Sequence, residues 1–239
     1  MRQIPARTPL RGATTTKLAT ETNTIVSALD PDLAAATRYA KARRAKWFVA
    51  VAEALASLSG FGQRCMCCSG SEATQVEHYR PKTIYPDRTF QWENLLWVCS
   101  ACNQFKGNRF DEGAPPINPI DDRVWEYFFI DEFGNLCSKW NPAADDLDPR
   151  AQRTIELLGL DREPLQESRL SRLLDLRKRI SDATSLLNAG VLGQEDLQLR
   201  ALEWFEQPFQ PDVADYFLDG PGSLEEPFKG FLAAADLQA

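Results

Sequence analysis

Apolar positions along the chain change their spacing several times, and each change marks an element. After an Asp30-Pro31 start signal, Tyr39, Trp47, Phe48 and Val51 fall on one side of a helix that the pattern carries to about Ser59, where Gly60 and Gly62 stop it. Thr74-Gln75-Val76 and Leu95-Leu96-Trp97-Val98 are short β-prone runs, separated by a loop that Pro81, Pro86 and Asp87 mark. From Ser100 the spacing becomes helical again, up to Gly107. Within the connector 111–149, the runs Trp125 to Ile130 and Leu136 to Trp140 flank Phe133-Gly134-Asn135 as a hairpin. Asp148-Pro149 then opens a helix closed by Gly159. Leu165 to Ala189 is a second one, with Leu170, Leu173, Leu174, Leu176 and Ile180 as core positions and Gly190 behind it. Glu195 to Phe205 is a third. Residues 1–25, with Pro5, Pro9, Gly12 and three consecutive threonines, suggest an extended arm, and the tail after Pro211 carries Tyr216, Phe217, Phe228 and Phe231 for docking. The chain shows no internal repeat.

This pattern predicts an α+β fold, mostly helical, in four parts: an arm and helix over 1–60, a compact ββα unit over 61–112, a hairpin connector over 113–148 and a helical region over 149–239. With 239 residues and 44% hydrophobic content the chain can bury a proper core. It contains no apolar run of the roughly 18 residues that a membrane span needs. Met1-Arg2-Gln3-Ile4-Pro5 lacks the apolar block of a signal peptide, which points to a reducing, cytoplasmic setting. The net charge of −7 is segregated. Residues 1–110 hold 15 Lys and Arg against 8 Asp and Glu, leaving 12 against 26 for the remainder. A basic half suits phosphate, and Arg38, Lys41, Arg43, Arg44 and Lys46 cluster in it. The acidic half is a candidate surface for docking a protein partner, although a solvated surface explains such charge equally well.

The chemically capable residues concentrate between Cys65 and Arg109. Cys65/Cys68 and Cys99/Cys102 form two Cys-x2-Cys pairs, thirty residues apart, and four such thiolates suit a tetrahedral structural zinc. Cys67 could compete for the ion, but its spacing does not match the second pair. Cys137 is distant and reads as a small buried hydrophobe. His78 is the only histidine, so any imidazole chemistry passes through it.

Glu77-His78, then Asn94, then Cys99-x2-Cys102-Asn103-x2-Lys106 resembles the HNH, or ββα-metal, nuclease motif in its zinc-bracketed form; the gap of nine from Asn94 to Asn103 is the one that motif shows. Val76-Glu77-His78-Tyr79-Arg80-Pro81-Lys82, Ile117-Asn118-Pro119-Ile120-Asp121 and Arg153 to Leu160 are similar, more narrowly, to the HNH nuclease subunit of Septu-type and retron-linked anti-phage systems. The resemblance covers roughly residues 60 to 170.

Phosphodiester hydrolysis needs a base for water and a cation for the developing charge. His78 is the candidate base, and Asn94 can hold the loop that orients it. Glu77 and Asn103 offer oxygen, the donor that Mg2+ or Mn2+ prefers, and the resemblance places the catalytic ion on the same two positions. Many relatives carry Asp or His there, which leaves the preferred ion open. Arg80, Lys82 and Lys106 are candidate phosphate contacts, and Asn108 a weaker candidate for the metal's surroundings. The resemblance implies an effector nuclease, of DNA first, paired with an ABC-type ATPase as sensor. The alternatives are an RNA (tRNA) cleaving effector and a non-catalytic zinc-stabilised adaptor that binds nucleic acid or protein.

Overall fold

The computed structural model describes residues 1–70 and 72–205, so the expectation for the aromatic tail lies outside the described residues. The fold is α+β. Three helices come first: α1 (Gly12–Val26), α2 (Pro31–Ala42) and α3 (Lys46–Leu58). A two-stranded antiparallel ribbon of β1 (Gln75–His78) and β2 (Leu95–Val98) follows and leads into α4 (Ser100–Lys106). The connector holds a helical turn, α5 (Val124–Tyr127), and two small antiparallel ribbons, β3 (Phe128–Ile130) with β4 (Leu136–Ser138), and β5 (Trp140–Asn141) with β6 (Asp146–Leu147). Helices α6 (Pro149–Leu158), α7 (Glu163–Asn188) and α8 (Gln194–Phe205) complete the described chain. None of its helices is long and apolar enough to cross a membrane.

The first twenty-six residues are not an extended arm throughout. Only the first eleven are, and their start is anchored in the core: Met1 and Ile4 are buried, and the Ile4 N–H donates to Pro119 O at 2.8 Å. α1 then buries Leu18, Glu21 and Ile25 along one face. Its threonines, individually poor helix formers, turn their hydroxyls back on the preceding turn, Thr16 to Gly12 O, Thr20 to Thr16 O and Thr24 to Thr20 O. Glu21 ties this helix to α2, accepting from Lys17 at 2.7 Å and Arg38 at 2.5 Å.

The single helix expected from Pro31 to Ser59 is two. Asp30 caps α2 by accepting the Leu33 N–H at 3.0 Å, with Pro31 at the first helical position. The chain then turns through Arg43, Arg44 and Ala45 without a glycine or proline. Packing is the reason. An unbroken helix of that length would run roughly 40 Å at 1.5 Å per residue, past the ribbon it must cover. The turn instead brings Tyr39 of α2 and Phe48, Val51 and Leu55 of α3 together in one core, Tyr39 edge-on to Phe48 with centroids 5.7 Å apart.

The connector and α7 differ in detail from expectation. Val124–Tyr127 is helical, leaving β3 and β4 shorter than the sequence suggested. Gly134, at φ 83°, forms the β3–β4 turn against α7, and any Cβ there would sit 2.5 Å from Gln166 O. In α7, Leu165, Leu173, Leu176 and Ile180 are buried, but Leu174 is 55% exposed and Leu170 only half-buried. Arg169 takes a fully buried place instead, its Nη1 donating to Leu160 O at 2.9 Å. Cys137 is half-buried rather than buried, its Sγ 3.8 Å from Asp131 Oδ2.

Candidate metal centre and active cleft

The four bracketing cysteines meet at one point. Cys65 and Cys68 lie on the turn that follows α3, pinned to the ribbon where the Met66 N–H donates to Trp97 O at 3.0 Å. Cys99 caps α4, its Sγ accepting the Cys102 N–H at 3.5 Å. All four side chains are buried and their sulfurs lie within 4.8 Å of one another, with Cys68 and Cys99 3.8 Å apart. A tetrahedral zinc bound at about 2.3 Å needs sulfur separations of roughly 3.8 Å, so the donor set fits. Burial pushes the Cys65 thiol up and the three neighbouring thiols push Cys102 up, whereas the thiols around Cys68 draw it down, so a bound cation would displace protons from the raised thiols. Cys67 is buried but stands outside the cluster. Arg162, just before α7, reaches in from the acidic half: its Nη2 lies 3.7 Å from Cys102 Sγ and its guanidinium sits 5.7 Å from the Phe105 ring centre.

Above the cluster, β1 pairs with β2 in a register that sets Val76 opposite Trp97, Glu77 opposite Leu96 and His78 opposite Leu95. Alternation puts Glu77 and His78 on opposite faces of the ribbon. A two-stranded ribbon has open edges, and both residues line one cleft of about 650 Å3 together with Asn103, Gln75, Lys82, Arg43 and Asn108.

His78 is 3% exposed, and its ring packs against Tyr39 with centroids 4.6 Å apart. Its Nε2 lies 3.0 Å from Thr89 O. A carbonyl only accepts, so Nε2 carries the hydrogen and Nδ1 is the basic nitrogen of a ring that lines the cleft. Burial pushes His78 down to about 3, with Lys82 adding to the effect. Asn94 holds the intervening loop at both ends. It accepts the Arg80 N–H at 2.7 Å, and its amide donates to Arg80 O and Arg88 O, each at 3.0 Å.

Asn103 donates from its amide nitrogen to Gln75 Oε1 at 2.5 Å, which leaves its oxygen as a free donor atom on the cleft side of α4. Gln75 escaped the sequence reading, although its position two residues before Glu77 puts it on the same strand face. Glu77 accepts from Lys106 Nζ at 2.8 Å. Lys106, expected as a phosphate contact, is buried, paired with Glu77 and absent from the cleft lining. Arg80 also lies outside the cleft lining, its guanidinium paired with Glu112 and stacked 5.2 Å from Tyr85 and 4.8 Å from Phe110. Lys82 is in the cleft, 5.2 Å from the Tyr39 ring centre.

The chain is similar to the Septu protein PtuB of Bacillus thuringiensis. The two are 30% identical over 112 residues, a stretch that is 45% of this chain and 40% of that protein's length. Over that stretch they are homologues, and the four-cysteine cluster fits a zinc-bracketed HNH module. No protein-family model matches the chain.

Proposed function

We propose that this protein is a metal-dependent HNH endonuclease acting in anti-phage defence, with DNA as its first substrate. The observation that carries the reading is the meeting of His78, Glu77 and Asn103 in one cleft beside the four-cysteine cluster. Similarity to the Septu protein supports the defence role. A zinc held by Cys65, Cys68, Cys99 and Cys102 is structural in this reading, and Mg2+ or Mn2+ held by Glu77 and Asn103 is catalytic. When bound, the catalytic ion supplies charge stabilisation at the phosphoryl group and the leaving oxygen.

The protein's own residues do the rest. Nδ1 of His78 takes a proton from the attacking water, and Thr89 O holds the ring in the tautomer that permits it. Asn94 fixes the loop from Arg80 to Arg88 and so the position of Thr89. Lys82 and Arg43 at the cleft rim meet substrate phosphates. In this reading the acidic helical region is the docking surface for an ABC-type ATPase partner, and its Arg162, just before α7, contacts Cys102 of the metal centre.

Purified wild type and His78→Ala, incubated with supercoiled plasmid or total RNA plus Mg2+, Mn2+ or EDTA, test this. Plasmid cleavage that needs both the ion and His78 is the expected result. Cleavage of RNA alone would replace the substrate. Ion-independent or His78-independent cleavage would overturn the mechanism. With no cleavage of either polymer, the same assay is repeated with the ATPase present; continued inactivity there would favour the adaptor.

A further inference from the structure

Lys106 is a buried cation paired with the carboxylate on which the proposed reaction places a second cation. Its side chain is 5% exposed and Nζ lies 2.8 Å from Oε1 of Glu77, itself 13% exposed. Lys106 does not line the cleft; with Cys67, Leu96, Val98 and Ile117 it lines a second, small space that Glu77 also borders. Among the described residues, Glu77 is the one carboxylate within ion-pairing distance of Lys106.

The charges facing that spot settle how it treats ions. Among the described residues that line the cleft Glu77 is the only acidic one, whereas Arg43 and Lys82 line it and Lys106 is paired with Glu77 itself. Gln75, Asn103 and Asn108 are neutral amides. A free divalent ion approaching Glu77 thus meets one carboxylate whose charge Lys106 already neutralises, under two further cations. A phosphate meets the same surroundings as attraction. Mg2+ and Mn2+ sites of few protein ligands are completed by waters and substrate phosphate oxygens.

We propose that the cleft takes its divalent cation only together with a phosphodiester, and that Lys106 enforces this by acting as the resident counter-ion of Glu77. The inference rests on Glu77 and Asn103 holding the catalytic ion. It adds the order of assembly: phosphate supplies the negative charge that Lys106 cancels, so protein without substrate keeps little ion. Linkage makes the coupling reciprocal, and the ion must strengthen phosphate binding by the same factor.

The test is a Mn2+ titration of the zinc-loaded protein, reading free Mn2+ by electron paramagnetic resonance, with and without thymidine 3′,5′-bisphosphate. Wild type should bind Mn2+ at least about tenfold more tightly with the bisphosphate. Lys106→Met should bind Mn2+ at least about tenfold more tightly than wild type without nucleotide, and gain less from its addition. Lys106→Gln, which keeps a hydrogen-bond donor near Glu77 but no charge, should behave as Lys106→Met does. Zinc content and melting temperature identify a variant that has not folded, in which case the other is used. Affinity equal to or below wild type in the folded variants would overturn the counter-ion. Glu77→Gln separates the two failures: unchanged Mn2+ binding in that variant with the bisphosphate present would mean that the ion site itself is misassigned.

Discussion

Nε2 of His78 lies 3.0 Å from the backbone carbonyl oxygen of Thr89, and this contact decides which nitrogen of the ring can act as a base. Thr89 is fully buried and belongs to the loop that Asn94 closes. The tautomer is therefore set by a loop whose shape is fixed from β2's edge of the ribbon.

A pH dependence follows. Burial holds His78 at about 3, against an ordinary imidazole value of about 6.5. The ring is neutral throughout the range in which the protein works, so single-turnover cleavage should show no inflection near pH ~6.5. Stability should respond instead. The folded value lies below the unfolded one, so unfolded chains take up an extra proton between pH ~3 and ~6.5. The contribution is complete above that window and is lost as pH falls through it, by about 1.4 kcal/mol per unit at most. Urea unfolding at pH 4.5, 5.5 and 7.5 checks this, and His78→Asn should flatten the slope.

His78→Ala should lower cleavage by roughly 10²- to 10⁴-fold, the usual worth of a general base. It should also destabilise the protein by roughly 2 kcal/mol, because a ring packed against Tyr39 leaves a void. Rates measured well below the variant's melting temperature, with zinc content unchanged, separate the two effects. Near-normal cleavage in folded protein would remove His78 from the reaction.

Asn94→Ala removes three hydrogen bonds from the loop between Arg80 and Arg88. Unsatisfied buried groups cost roughly 1–3 kcal/mol each, so the melting temperature should fall by several degrees. The activity should fall further than that loss explains, mainly in kcat, since Thr89 no longer fixes the ring. A variant with normal kcat would show that the loop keeps its shape without Asn94.

Much of the metal centre was legible in the sequence because each Cys-x2-Cys pair fixes its own geometry: the four sulfurs converge as the spacing demands, and Cys67 is excluded. The order β1, β2, α4 was also legible, since period and breakers agree there. The break at Arg43–Ala45 was not, because no local residue dictates it and Tyr39 and Phe48 impose it from the core. α1 was hidden by its threonines, whose back-bonding to the preceding turn is a property of the formed helix. The pairing of Lys106 with Glu77 was invisible for a different reason. Both residues had a plausible solvent-facing role, and only the ribbon register turns Glu77 toward the helix that carries Lys106.

Zinc removal gives the last prediction. Cys99 is a sulfur of the cluster and the cap of α4 at once, and α4 carries Cys102, Asn103 and Lys106. Serine in its place can still cap the helix but cannot supply the fourth thiolate. Structural zinc contributes folding free energy on the order of 10 kcal/mol, so Cys99→Ser should emerge poorly folded and without metal, and chelation of wild type should have the same effect. Cys67→Ser, whose sulfur stands outside the cluster, should keep its zinc and its cleavage. Zinc determined by atomic absorption alongside far-ultraviolet dichroism decides it. Because α4 holds both sides of Asn103's environment, cleavage should disappear with the zinc even when Mg2+ is plentiful. A zinc-free protein that still cleaved would show that the cleft holds its shape without the bracket.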